Sequence, residues 1–375
     1  MDINLLDEVT RFRRELHRIP EIGYQEIKTQ EYLKKELLNM GYNPQVICTT
    51  GIYVYIDAGA PETVAFRSDI DALPITEETG CTFASTHSGV MHACGHDGHM
   101  AMLLGFAKTL KNYDNFKKNI LLIFQPAEEG PGGAKDIVVE GLLTRYNVKS
   151  IFGLHLFPGI DEGIIASKKG PMMAQSTEIN IDIIGKSGHG AMPHTSVDSI
   201  LVTAKLLEAY QSIISRSLSP LSQSVITFGR IEGGTVRNII AEKTRIEGTI
   251  RTFSKEVLDD ILRRIREINE GFEKSYGVKI RCHINILYPP VINDADLFTQ
   301  IEELIDLPDI EPLMLAEDFS YYQEAVPGIF FFLGTKNEDK SFTAPLHNSK
   351  FNFDEEVLLK GIEFYTALSK KLNLI

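Results

Sequence analysis

The chain has 375 residues, 43% of them apolar and 24% charged, and a formal charge of −13. That is enough sequence for two domains, or for one domain carrying an insertion, with cores of ordinary composition. So acidic a chain lacks the basic surface that nucleic acid requires, although a few local cations still suffice for an anionic substrate.

No stretch approaches the roughly 18 uninterrupted apolar residues of a membrane span. The start, Met-Asp-Ile-Asn-Leu-Leu-Asp-Glu, has no basic segment leading into an apolar run. Neither a membrane partner nor a signal peptide is expected. Cys48, Cys81, Cys94 and Cys282 are widely scattered. They fit a reducing cytoplasm, where a cysteine is buried, catalytic or a metal ligand, better than a disulfide framework.

Residues 4–18 and 25–39 place apolar side chains at helical spacing: Leu5, Val9, Phe12 and Leu16, then Ile27, Tyr32, Leu33 and Leu37. Short strand-like runs follow at Ile52–Ile56, Thr63–Arg67, Asn119–Phe124 and Ser150–Leu154, with a helical stretch from about Gly98 to Leu110. Strands alternating with helices imply an α/β fold with a largely parallel sheet covered by helices. The pattern changes near Gln175. Thr177–Ile184 alternates strictly, with Ile179, Ile181 and Ile183 on one face. A helix (197–215), strands at 224–231 and 243–252, a helix (255–274) and a strand at 278–287 follow. Clean alternation predicts a sheet covered on one side only, and strand-helix-strand-strand-helix-strand is the ferredoxin-like unit. After Tyr288-Pro-Pro the doubly covered style returns, with a buried strand at Ile329–Leu333 and a terminal helix at Glu355–Lys371. The chain therefore reads as one α/β domain, 1–174 plus 289–375, interrupted by an inserted α+β domain, 175–288.

Reactive side chains cluster just past the predicted strands. Asp69 and Asp71 follow Val64–Ser68, Glu128 and Glu129 follow Leu121–Ala127, His155 follows Ile151–Leu154, and a loop after Ile329–Gly334 carries His347. His92, Cys94, His96, Asp97 and His99 crowd the start of the helix near Gly98. Carboxyl ends of parallel strands are where α/β folds place ligands, so these groups are expected to converge. Thiolate, imidazole and carboxylate together favour zinc-like ions over magnesium or calcium. The set exceeds what one tetrahedral ion needs. Two ions roughly 3.5–4 Å apart, sharing a ligand and a water, would use it. Of the two glutamates, one would hold metal and the other take the water's proton.

Each group also has a plainer reading. A Glu-Glu pair is usually a solvated loop, but here Gln-Pro-Ala and Gly-Pro-Gly-Gly flank it, which marks a rigid turn after a buried strand. Taken alone, His155 or His347 is more often a structural histidine than a ligand. His17 and His87 read as structural, and Cys48, Cys81 and Cys282 as buried small hydrophobes.

His-Ala-Cys94-Gly-His96-Asp, Gln-Pro-Ala-Glu128-Glu129-Gly, Gly-Leu-His155 and Pro-Leu-His347-Asn together resemble the aminoacylase and hippurate-hydrolase branch of the binuclear metallopeptidase (amidohydrolase) family, nearly end to end. The resemblance implies two divalent ions, of zinc, manganese, cobalt or nickel, held by Cys94, His96, Glu129, His155 and His347. Cys94 stands where the wider family has a bridging aspartate, and Glu128 is the implied general base. Asp69 and Asp71 match the Asp-x-Asp-Ala-Leu-Pro element, of which one residue has an active-site role. Asp69 is favoured, though the physical case between them is even. The inserted domain is similar to the family's lid, which forms a homodimer. In Gly188-His189-Gly-Ala-Met-Pro-His194, His189 is the better match, and His194 the second, for the histidine that stabilises the oxyanion, usually from the partner subunit. Asn238 and Arg251 match positions that hold the substrate carboxylate. His92 and His99 become supporting residues.

A narrower likeness runs through Ile19–Glu26, Arg67–Ile75, Phe124–Ala134 and Gly233–Lys243. These segments resemble a subgroup that removes the acetyl group of N-acetyl-LL-2,6-diaminopimelate in bacterial lysine biosynthesis. The expected function is thus metal-dependent hydrolysis of an N-acyl amide on an amino acid. Its rivals are a broader hippurate-like amidohydrolase and, from a different class, a non-catalytic metal-binding scaffold.

Overall fold

The computed structural model describes residues 3–375. The chain divides into two compact units: one takes the chain up to Gly170 with Ile292–Glu311 and Asp318–Ile375, the other Pro171–Val291 with Pro312–Glu317. No helix among the described residues is long and apolar enough to cross a membrane.

The first unit is built on a seven-stranded sheet in the order Gln45–Ile47, Gly51–Ile56, Asn119–Gln125, Thr63–Asp69, Val148–Asp161, Gly328–Lys336, Ile165–Ala166. Thr63–Asp69 runs parallel to both of its neighbours, and Val148–Asp161 parallel to Gly328–Lys336. The outer pairings are antiparallel. Thr63–Asp69 and Asn119–Gln125 are buried along their whole length, the continuous burial expected of a sheet covered on both faces. Phe66, Phe106, Phe152 and Tyr365 pack ring against ring over this sheet. The helix His96–Leu110 lies almost wholly inside. Gly105 lets its neighbours approach, since a Cβ there would stand 2.4 Å from Ile362 Cδ1 and 2.8 Å from Val9 Cγ2.

Two local features depart from the sequence expectation. The strand bearing His155 does not stop at Leu154 but runs on to Asp161. Its pairing with Thr63–Asp69 nevertheless ends at Gly153, so His155 emerges where one neighbour has dropped away and only the other, at Phe332, continues. The strand Thr63–Asp69 is two residues longer than its apolar run, which makes Asp69 its last member.

The second unit has four antiparallel strands in the order Ser224–Gly233, Lys243–Thr252, Gln175–Ile184, Lys279–Tyr288. With the helices Ser199–Ser212 and Lys255–Tyr276, this is the ferredoxin-like order. Ile179, Ile181, Ile183, Ile246 and Ile250 form the buried face with Leu206, Tyr210, Ile261 and Ile265. The alternation weakens on the edge strand, where Ile284 and Ile286 are exposed. An edge strand has a neighbour on one side only.

Candidate metal centre

All the metal-ligand candidates lie in the first unit and converge there. Cys94, His96 and His155 bring their donor atoms within 4.8 Å of one another, and so do Cys94, Glu129 and His347. Cys94 belongs to both groups. A third group joins His96 to Glu128 and Glu129.

Hydrogen bonds decide which imidazole nitrogens remain available. His96 Nδ1 donates to the Asp71 carbonyl oxygen at 2.9 Å, with Asp71 Oδ1 at 3.3 Å. His155 Nδ1 donates to the Leu156 carbonyl at 2.6 Å. Both rings therefore present a bare Nε2: that of His155 lies 3.4 Å from Cys94 Sγ, and that of His96 is buried with no hydrogen-bond partner. His99 differs. Its Nδ1 donates to Asp69 Oδ1 at 2.6 Å, but its Nε2 already accepts the Leu156 N–H at 2.9 Å. It is occupied at both ends and orients Asp69 instead of offering a ligand.

Asp69 and Asp71, two residues apart, face different parts of the same ring. Asp69 Oδ2 sits 3.7 Å from His96 Nε2 and accepts from Arg67 Nη1 at 2.8 Å. Burial opposes its charge, yet His96, His99 and Arg67 hold the carboxyl well below its usual range. Asp71 supports the Nδ1 side and also accepts the Glu129 N–H at 2.9 Å, pinning the glutamate loop. That loop turns sharply at Ala127, whose φ is +55°. Glu26, fully buried, accepts the Ala127 N–H at 2.9 Å and the Thr50 hydroxyl at 2.7 Å. Burial, with some help from the Asp71 charge, raises this carboxyl to about 7.

The donor chemistry suits metal. Glu129 Oε1 is buried with no hydrogen-bond partner, 3.2 Å from His347 Nε2 and 4.0 Å from His96 Nε2. Burial and the nearby charges of Glu129, Glu128 and Asp69 push the Cys94 thiol well above its ordinary pKa. Thiol, imidazole and carboxylate crowded in this way are the donor types that a zinc-like divalent ion takes. His347 reaches the cluster from a residue at φ +60°, whose N–H bonds the Ala93 carbonyl at 2.9 Å. It is the exposed member, with 52% of its side chain open.

Sequence reasoning gave no role to Asp318. Its backbone N–H approaches Glu128 Oε1 at 3.4 Å, and its carboxylate accepts from Arg67 Nη2, Gln125 Nε2 and the Ala134 N–H, each at 2.8–2.9 Å. The partners are 184 to 251 residues away, so no local spacing signals them. The three remaining thiols need correction as well. Cys48, Cys81 and Cys282 are only partly buried, Cys282 because it lies on the edge strand Lys279–Tyr288. Cys48 Sγ donates to Glu140 and Cys81 Sγ to Glu77.

In the second unit, His189 lies on a two-residue ladder against Ile239, and the Gly190 N–H bonds the Asn238 carbonyl at 2.9 Å. His189 and Asn238 are thus neighbours, both exposed. The Ala191 N–H donates to His189 Nδ1 at 3.1 Å, leaving the proton of the neutral ring on Nε2. His194 sits exposed in the short turn Pro193–Thr195. Arg251 is partly buried on its strand, bonded to Thr249 Oγ1 and to the Ile250 carbonyl, and burial lowers its pKa.

Residues 65–371 match the sequence pattern of peptidase family M20/M25/M40. An N-acetyldiaminopimelate deacetylase of Priestia megaterium is 41% identical over 369 residues, covering 96% of this chain and 97% of the relative. One from Shouchella clausii is 38% identical at the same coverage. Among solved structures, a putative aminohydrolase from methicillin-resistant Staphylococcus aureus superposes with a TM-score of 0.91 at 34% identity, over 99% of this chain and 97% of that one. The Bacillus subtilis YXEP protein, described as a dinuclear metal binding peptidase of the M20 family, does so with 0.86 at 31%, over the full length of both.

Proposed function

The chain belongs to peptidase family M20/M25/M40, and on that premise we propose that it is a metal-dependent deacetylase of N-acetyl-LL-2,6-diaminopimelate. Water and substrate yield LL-2,6-diaminopimelate and acetate, a step of lysine biosynthesis in the cytoplasm. The observation that carries the reading is the membership of Cys94 in two donor groups at once, the arrangement a shared ligand between two ions requires. His96 and His155 complete one group through their bare Nε2 atoms, and Glu129 and His347 complete the other.

Two divalent ions held by these residues would supply Lewis acidity, polarising the acyl carbonyl and lowering the pKa of bound water toward neutrality. Asp71 fixes the His96 ring, and Asp69, itself fixed by His99 and Arg67, places a full negative charge behind its Nε2. Glu128, beside Glu129 and near the Asp318 N–H, takes the proton of the attacking water and returns it to the departing amine nitrogen. The oxyanion is stabilised by the Nε2–H of His189 of the partner subunit, with His194 the second candidate. Asn238 and Arg251 hold the substrate carboxylate. Residues 175–288 serve as lid and dimerisation domain.

Metal-replete protein is expected to release acetate and LL-diaminopimelate from N-acetyl-LL-diaminopimelate, identified by product analysis. Its kcat/KM on that substrate should exceed that on N-benzoylglycine. The reverse preference would move the assignment to a general N-acyl-amino-acid hydrolase.

A further inference from the structure

Away from the Cys94 centre, a second set of metal-type donors meets at the end of the first helix. His17 closes the helix Ile3–His17 and is 1% exposed. Its Nδ1 lies 2.8 Å from Asp97 Oδ2, and its Nε2 lies 3.2 Å from Glu77 Oε1. Cys81 Sγ is 3.5 Å from that same oxygen. All three donor atoms fall within 4.8 Å of one another. The other Glu77 oxygen is occupied, since the Ser85 N–H donates to Oε2 at 2.6 Å, so Oε1 is held facing inward. The Thr79 hydroxyl bonds Oε1 from the chain side.

We propose that His17, Glu77 and Cys81 form a further site for a zinc-like divalent ion, separate from the dinuclear centre.

Three features carry this. Donor–metal bonds of about 2.0–2.3 Å make the edges of a tetrahedron about 3.3–3.8 Å long, and the His17–Glu77 and Glu77–Cys81 donor distances are 3.2 and 3.5 Å. One imidazole, one carboxylate and one thiolate is a donor set that selects zinc or cadmium over magnesium and calcium. A carboxylate on the far ring nitrogen is the usual support of a metal-bound histidine, and Asp97 occupies that place. Cys81 and Glu77 are reached from solvent more easily than His17. The side facing solvent is therefore that of Cys81. Binding replaces a proton on His17 and one on Cys81, and it ties the first helix to the 77–85 segment.

The test reads Cys81 in the metal-replete wild-type protein, with Cd2+ as the probe. Alkylation by iodoacetamide, followed by peptide mass spectrometry, should slow at Cys81 by about tenfold at a Cd2+ concentration of about ten times Kd. The part-exposed Cys48 and Cys282 should keep their rates. Bound cadmium should fall by one ion per chain in Cys81→Ala, with deacetylase activity retained as proof that the variant is folded. An unchanged Cys81 rate, with equal metal content in wild type and variant, would overturn the proposal. The alkylation readout reports on Cys81 whatever the Cys94 centre holds, so failure here and failure of the deacetylase reading are distinguishable.

Discussion

At the residue scale the centre separates ligands from their supports by what each second atom is doing. His96 and His99 are three residues apart on one helix and equally buried, yet only His96 keeps a bare Nε2. Glu128→Gln keeps the shape of the proposed base and removes its proton affinity. It is expected to lower kcat by about 10²–10⁴ with metal content unchanged, measured by steady-state kinetics alongside metal analysis. Full activity would reassign the base. Asp71→Asn should instead reduce both metal content and kcat: the backbone carbonyl keeps its bond to the His96 ring, but the carboxylate charge 3.3 Å from His96 Nδ1 and on the Glu129 N–H is removed. Losses of about 10–100-fold in metal affinity are typical when such a support is removed. The proposed ligands were legible in the sequence because each sits in a short motif, at a helix start for Cys94 and His96 and within or after a strand for the others. Their supports were not. Asp318, just before the helix Ser320–Ala325, meets Arg67 across 251 residues, and only the tertiary fold brings them side by side.

At the scale of elements, burial was legible wherever both faces of a strand are covered, as in Thr63–Asp69, and poorly legible at an edge, as at Ile284. The close packing of the helix His96–Leu110 gives a sharp expectation. Gly105→Ala puts a methyl group into Ile362 and Val9, and should cost about 1–3 kcal/mol in chemical denaturation. The brace made by Glu26 gives another. Its folded pKa is about 7 against an ordinary 4.5, so between these values the native state binds more protons than the unfolded one. Stability from this group is full below about pH 4.5 and is lost as pH rises toward 7, by about 3 kcal/mol. Glu26→Gln, which cannot ionise, should gain stability relative to wild type at pH 7.5 compared with pH 5, as read from denaturation midpoints. A difference that does not change with pH would mean that Glu26 is already ionised at pH 5.

At the scale of the molecule, the proposed ions bind only where four distant segments, around Cys94, Glu129, His155 and His347, are folded together, so their removal acts on the whole first unit. Chelation should abolish turnover and lower the melting temperature, and restored zinc or manganese should recover both. Sedimentation equilibrium should give twice the 42.0 kDa chain mass if the second unit forms the dimer. One last consequence lies in the uneven burial of the proposed ligands. Cys94, His96 and His155 are each at most 6% exposed, whereas half of the His347 side chain is open. The loop carrying His347 is docked by two backbone bonds, His347 N–H to the Ala93 carbonyl and Glu78 N–H to the Ser349 carbonyl. On the proposed assignment, His347→Ala is expected to speed metal exchange, followed by release of ion to a chelator, whereas replacing a buried ligand is expected to lower the equilibrium metal content.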